Sequence, residues 1–149
     1  MTSTRTARIV SLQLCVGHRE PMQFVDQANI ITGFGIEGDR HGTSDGVRTA
    51  RQILLIEEET LQGFGLSYGE VRENVTTAGI DLSSLDIGEN VKLGHEVLLR
   101  ITGLCEPCSR MDEIRSGLRT ELNNKRGMLA YVVHGGIIRT GDIIKVMNT

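Results

Sequence analysis

Residues 103 to 111 read GLCEPCSRM, which places Cys105 and Cys108 three positions apart. Two thiols at that spacing fit a dithiol redox pair, half of a metal site, or a single useful thiol with a neighbour that only packs. A thioredoxin-type pair opens a helix after a strand inside a βαβ framework. A strand-like run, VLLRITGLC, precedes the pair, but the parallel alternation does not surround it. A structural zinc site needs two further ligands at close spacing. The candidates Cys15, His18, His41, His95 and His134 supply one close pair, Cys15 with His18. The plain alternative is two small buried hydrophobes, the common fate of a free cysteine. Position favours Cys108. Pro107 suits a first helical turn, and Asp112 and Glu113 suit the turns that follow. Cys108 then lies near a helix N-terminus, where free N–H groups favour the thiolate, the form that attacks and ligates. Cys105 ends the strand-like run and is expected to pack inward.

The second stretch with chemical content is GFGIEGDRHG, Gly33 to Gly42. Its glycines allow sharp turns that aim backbone N–H groups at an anion, and Gly38, Asp39, Arg40 and His41 set a cation and an imidazole beside them. Arg48 and Arg51 follow. Such an array holds phosphate or carboxylate groups. It matches neither the phosphate loop nor the dinucleotide fingerprint. The alternative is an ordinary surface loop in which Arg40 pairs with Glu37 or Asp39. In the third stretch, RENVTTAG, Glu73 and Asn74 either cap a turn or line a pocket. Arg126-Gly127 reads as a basic residue at a helix end, complementing the dipole.

Short elements must position these groups. Arg8 to Val16 alternates apolar and polar residues, as a half-buried strand does. Gly33 to Gly46 is a long loop. RQILLI is a buried strand leading into EEETLQGFG, a short helix stopped by Gly63 or Gly65. Residues 71–103 read as short strands with glycine turns, PCSRMDEIRSGLRTELNNKRG as one or two short helices, and MLAYVVHGG and DIIKVM as closing strands. One echo stands out: Gly88 to Leu93 and Gly141 to Val146 share the pattern G-[DE]-x-[IV]-K-[LV], a repeated strand entry and not a solenoid. The expected fold is mainly β, a closed or partly open barrel of mostly antiparallel short strands with a few short helices.

The chain has 149 residues, room for one domain with its own core. We read residues 1–149 as that single domain, its core running from about 7 to 146. With aromatic residues at 3%, the core must be built from Ile, Leu, Val and Met. A net charge of −3 argues against a nucleic-acid binder. The apolar-rich run Ile9 to Gly17 is half of a bilayer span and has no cleavage signal, which argues against membrane insertion. Three cysteines, an odd number, favour reduced thiols in a cytoplasmic setting.

Taken in order, these stretches resemble the MOSC family, the domains similar to the C-terminal part of molybdenum cofactor sulfurases. The motifs are GIEGDRHG at 35–42, RQILLIEEE at 51–59, REN at 72–74, L-x-x-L-x-I-G at 82–88, Pro107-Cys108, KRG at 125–127 and GGIIRTGD at 135–142. The resemblance implies a barrel of mostly antiparallel strands. It also implies binding of the molybdenum cofactor, a pterin-dithiolene with a terminal phosphate, or carriage of sulfur on one cysteine. The matching cysteine is Cys108, implied as metal ligand and catalytic residue. Gly38, Asp39, Arg40, His41 and Arg51 fall on the family's polar loop and strand start as implied partners of the cofactor; Glu73, Asn74 and Arg126 complete the implied set. Cys105 lies outside the family pattern. An enzymatic form reduces an N-hydroxylated substrate with electrons from a separate protein, since the sequence has no flavin, haem or iron–sulfur motif. A carrier form receives sulfur as a persulfide from a pyridoxal-phosphate cysteine desulfurase. A third form binds the cofactor without turnover. The family's larger members add segments that cover the site; a bare domain needs a second subunit, as in a homo-oligomer, or binds transiently.

Overall fold

The computed structural model describes residues 6 to 147, so the two ends of the 1–149 span lie outside the described residues. In chain order the elements are β1 (Arg8–Leu14), β2 (Gln23–Val25), β3 (Gln27–Ile31), β4 (Gly35–Ile36), β5 (Ile53–Glu57), α1 (Glu58–Gly63) and β6 (Val75–Ala78). Then come β7 (Asn90–Leu93), β8 (Val97–Leu104), α2 (Arg110–Ile114), α3 (Leu118–Glu121), β9 (Met128–His134), β10 (Gly136–Arg139) and β11 (Ile144–Met147). Short 3-10 turns at Gly46–Arg51 and Leu82–Ser84 complete the inventory.

Eight strands form one mixed sheet in the order β11-β7-β8-β9-β5-β6-β1-β2, and β10-β3-β4 form a second, small one. Among the described residues all strand pairings are antiparallel except β5 with β6, which run parallel. That crossover is made by α1 and the segment carrying Arg72 to Asn74, so this parallel pair delivers the REN stretch to the start of β6. The two echoed strand entries turn out to be partners: β7 and β11 lie antiparallel, with Lys92 opposite Lys145 and Val91 opposite Val146.

The closed form of the expected barrel is not seen. The segment entering β11 touches β1, next to the other end of the sheet, through an isolated bridge between Arg8 and Ile143, where the Ile9 N–H donates to the Asp142 carbonyl at 2.9 Å and the Gly141 N–H to the Ile9 carbonyl at 2.7 Å. The reason is geometric. The approach to β11 meets β1 at Arg8, and from Leu12 to Leu14 that same edge of β1 is taken by β2, while β6 holds the opposite edge.

The core is aliphatic, as the scarcity of aromatics requires. Ile9, Leu12, Ile30, Ile53, Leu55, Val75, Val91, Leu99, Ile101, Val132 and Ile138 form its main cluster. Each such side chain, fully buried, contributes on the order of 2 kcal/mol. The middle of β5 is buried on both faces. Ile53 and Leu55 enter the main core, whereas Ile56 joins Leu61, Met111, Leu118 and Leu122 under the helices. Leu54 meets Cys105 and Leu129 in a third, small cluster. β1 departs from simple alternation, because its polar residues are buried too. Ser11 and Gln13 bond each other, and Gln13 Nε2 donates to the Glu73 carbonyl at 3.0 Å and to Thr76 Oγ1 at 3.2 Å. Glu73 of the REN segment and Thr76 of β6 thus satisfy the Gln13 amide.

Candidate functional site

On the Leu54 side of β5, a cavity of about 190 Å3 opens between the glycine-rich loop, the REN segment and the stretch after β8. Leu54, Leu129 and Met111 give it apolar walls, and Cys105 and Cys108 also line it. Arg51, Arg72, Arg110 and Arg126 line it with His41 and Asn74, and Glu106 is the sole carboxylate in the lining. A larger cavity of about 410 Å3, bordered by Glu57, Asp81 and Lys125, holds neither cysteine nor histidine.

Buried hydrogen bonds place the polar loop. The Asp39 carboxylate, whose side chain is 0% exposed, accepts from the Cys15 N–H at 2.6 Å, the His41 N–H at 2.9 Å and Asn74 Nδ2 at 3.0 Å. His41 Nδ1 lies 3.3 Å from Oδ2, the same oxygen that accepts from the His41 N–H. One buried anion thus ties β1's end, the glycine loop and the REN segment together. Buried Gln52 clamps the loop from the other side: its amide nitrogen donates to the Gly33 and Thr43 carbonyls, both at 3.0 Å, and its oxygen accepts from the Val132 N–H at 2.8 Å. The fold of the loop on itself explains a glycine: a Cβ on Gly35 sits 3.1 Å from the Gly42 Cα.

Arg72 adopts a left-handed backbone with φ of 66°, a conformation uncommon for a residue with a side chain and one that marks constrained sites. Its guanidinium gathers the 15–20 segment, donating to the Glu20 carbonyl at 2.8 Å, the Gly17 carbonyl at 3.0 Å and Cys15 Sγ at 3.0 Å. Asn74 locks the opposite end, accepting from the Leu54 N–H at 3.0 Å while donating to Asp39.

Arg126 is buried and faces the second sulfur. Its Nη1 donates to Cys105 Sγ at 2.7 Å and its Nη2 to the Val71 carbonyl at 2.9 Å, while its Nε has no hydrogen-bond partner. Gly127 fixes this geometry: the Cys105 N–H donates to the Gly127 carbonyl at 2.9 Å, and a Cβ on Gly127 would overlap the Leu55 carbonyl oxygen at 2.2 Å.

The electrostatics are one-sided. Among the described residues the ion pairs are Arg19–Glu113, His41–Asp39 and Arg115–Glu121, so none of the four cavity arginines has a carboxylate within 4.0 Å. Glu73 stands nearby, close enough to feel Arg126, but burial dominates and holds its carboxyl above the ordinary value. It accepts from the Gly69 N–H at 2.8 Å and from Thr76 Oγ1 at 2.6 Å; its other oxygen is unpartnered.

The structure brings Cys108, His41, Arg51, Asn74 and Arg126 to one cavity wall. Asp39 and Glu73 lie buried behind that wall as supports, and Gly38 supplies a turn with φ of +88°. Arg40 departs from the expected set: it is exposed, does not line the cavity, and ties to the site only through its N–H, 2.8 Å from the Cys15 carbonyl. Neither Glu37 nor Asp39 pairs with it; Glu37 accepts from Asn29 Nδ2 at 2.7 Å instead. The helix after Cys108 is also shorter than its sequence signals promise. α2 spans Arg110–Ile114, so Pro107 and Cys108 precede it on irregular backbone, and Cys108 is half-buried against Met111 and its neighbours. Arg126 is not at a helix end. α3 stops at Glu121, and a turn through Asn124, with φ of 65°, carries the chain to it. Arg72 and Arg110 are additions that sequence reasoning missed as lining residues, although Arg72 heads the REN motif and Arg110 stands two places after Cys108. Among the described residues no set of three or more His, Cys, Asp or Glu side chains is arranged to hold a metal. No helix among them is long and apolar enough to cross a membrane.

Solved structures share this arrangement of elements. The YuaD protein from Bacillus subtilis superposes with a TM-score of 0.80 at 23% identity, over 95% of this chain and 96% of that one. YiiM from Escherichia coli gives 0.70 at 18% identity, over 95% and 70% of the two chains. YiiM from Geobacillus stearothermophilus gives 0.73 at 16% identity, over 95% and 75%. No curated relative matches the chain. The MOSC domain model matches residues 38–145, a span that holds the polar loop from Gly38 onward, the REN segment, Pro107-Cys108 and Arg126. This chain belongs to the MOSC domain family.

Proposed function

We propose that this chain binds the molybdenum cofactor in the arginine-lined cavity, with the Cys108 sulfur as the protein ligand to the metal. The observation that carries the reading is the charge pattern: four arginines without an ion pair among the described residues converge beside one half-buried thiol. Arg126 is the buried member of the four, and a buried cation with no countercharge is costly. An anionic group in the cavity relieves that cost, and the orphaned Nε of Arg126 offers it a donor. The donor set suits the cofactor's chemistry. Guanidinium groups bind a terminal phosphate through paired N–H bonds, and a thiolate suits a soft, sulfur-bound metal. Arg51 and Arg72 are the phosphate candidates, His41 and Asn74 the polar contacts for the pterin edge. At about 190 Å3 the cavity is smaller than the roughly 300–1,000 Å3 of ordinary small-molecule sites, so a second subunit is expected to complete it, or binding to be transient.

When bound, the cofactor supplies a metal that changes oxidation state, with electrons from an external protein donor and an N-hydroxylated compound as substrate. The chain's own part is to hold and orient. Asp39 fixes the His41 ring and the Asn74 amide, Gln52 fixes the loop, and Leu54 and Leu129 keep water from one side. A second reading has Cys108 carry a persulfide received from a cysteine desulfurase. It is favoured by the place of Cys108 on irregular backbone at an open cavity, where a partner's sulfur reaches it.

Expression in a host that makes the cofactor, followed by molybdenum and pterin assays, tests the proposal. Wild type and Cys105→Ser are expected to retain molybdenum and Cys108→Ala to lose it. Equal metal in the Cys108 variant overturns the ligand role. One added sulfur on Cys108 after incubation with a desulfurase, in protein lacking molybdenum, favours the carrier.

A further inference from the structure

Cys105 is not used by the proposed function, yet it is not a plain packing residue either. It is 2% exposed, and Leu54 and Leu129 surround it on one side. Cys105 nevertheless lines the same cavity as Cys108, and its sulfur receives the Nη1 hydrogen bond of Arg126 at 2.7 Å. Arg126 is itself 8% exposed, and its Nε is unpartnered. Burying a guanidinium against a sulfur is a poor choice for a core and a sensible one for a sulfur that must react. Only Glu106 and Pro107 separate the two cysteines, both on backbone free of regular hydrogen bonding after β8. Such backbone can adjust to the close approach that a disulfide needs.

We propose that Cys105 is a resolving thiol for Cys108, and that the pair forms a reversible disulfide when a hydroperoxide enters the cavity. Cys108 is the more accessible sulfur and reacts first. Having released its proton, it attacks one peroxide oxygen; the O–O bond breaks, Cys108 becomes a sulfenic acid, and the departing hydroxide takes a proton to leave as water. The Cys105 sulfur, also deprotonated, then attacks the Cys108 sulfur; the S–O bond breaks and hydroxide leaves, again to become water. Two thiols and one hydrogen peroxide give one disulfide and two waters, the thiols being oxidised and the peroxide reduced. Arg126 acts as a positioning residue, holding the attacking sulfur at the cavity wall. The disulfide takes from Cys108 the sulfur that any ligand or persulfide role requires, and a dithiol restores it. This chemistry stands whether or not the cofactor binds.

The test uses the full chain purified under reducing conditions and exposed to hydrogen peroxide, read by intact mass without reductant and by peptide mapping. Wild type is expected to lose two hydrogens, with Cys105 and Cys108 in one cross-linked peptide, and to recover with dithiothreitol. Cys105→Ser is expected instead to gain oxygen on Cys108, trapped by dimedone. Arg126→Lys is expected to form the disulfide at least about tenfold more slowly, the scale of one charged hydrogen bond. Oxygen gain on Cys108 in wild type at the rate of the serine variant overturns the proposal, as does a cross-link from Cys108 to Cys15. The wild-type result decides even if the arginine variant does not fold. Loss of molybdenum binding would leave it untouched, so the two readings fail separately.

Discussion

The Asn74 amide donates to the Asp39 carboxylate at 3.0 Å inside the protein, joining residues 35 positions apart. Through this contact the glycine-rich loop and the REN segment become two sides of one cavity. Asp39 also holds the Cys15 N–H and the His41 N–H, so its removal orphans several donors at once. Asp39→Ala is expected to lower stability by about 3 kcal/mol, because each buried donor left without its acceptor carries a desolvation penalty. Asp39→Asn retains an acceptor oxygen and is expected to lose less. Urea unfolding of the two variants checks the order.

Glu73 gives a pH signature. Burial raises its carboxyl above 4.5, the ordinary value, against the opposing pull of Thr76, Gly69 and Arg126. An acid whose folded pKa is raised favours folding fully below its unfolded pKa, and that contribution is lost as pH rises through the folded pKa. Relative to Glu73→Gln, wild type is therefore expected to lose stability as pH climbs from 4.5 upward. Denaturation midpoints of both proteins across that window test it; parallel curves would show that Glu73 is not held in its neutral form.

Gly127 stands between the two halves of the Cys105–Arg126 contact. Its φ of +111° and its approach to the Leu55 carbonyl leave no room for a Cβ. Gly127→Ala is expected to cost about 3 kcal/mol from strain and overlap. Gly46→Ala, where a Cβ meets nothing within 4 Å, is expected to change stability by less than about 0.5 kcal/mol. Thermal melts of the pair separate a general intolerance of glycine loss from this specific one.

Arg51 and Arg40 make a matched comparison, since both are exposed cations flanking the same loop but only Arg51 lines the cavity. Arg51→Ala is expected to weaken binding of inorganic phosphate at least about tenfold, and Arg40→Ala to leave it unchanged. Titration calorimetry at fixed ionic strength measures both. Equal effects would point to diffuse charge attraction in place of a site.

Much of the element pattern was legible locally. The strand at Arg8, the buried run after Arg51, the short helix ended near Gly63 and the closing strands all appear where periodicity and glycine punctuation put them. What was not legible came from contacts between distant segments. Ser11 and Gln13 look like solvent-facing residues of a strand until the REN segment covers them. Arg40 and Arg51 look alike in a charge pattern, and only the 3-10 turn and the loop's path decide which of them faces the cavity. Pro107, Asp112 and Glu113 signal a helix correctly, but the chain turns at Arg115 and Gly117, so the helix is too short to lend Cys108 a dipole.

The sequence by itself determined the family, the aliphatic core, the strand-rich composition and the prominence of Pro107-Cys108, because these depend on residue type and local spacing. Tertiary structure alone decided that Cys105 shares the cavity with Cys108, that Arg126 is buried against it, and that Arg72 and Arg110 complete the basic lining. The physical reason is that burial and charge pairing are long-range quantities. A guanidinium's partner is chosen by whichever segment the sheet order carries to it, here one that lies 21 residues away along the chain.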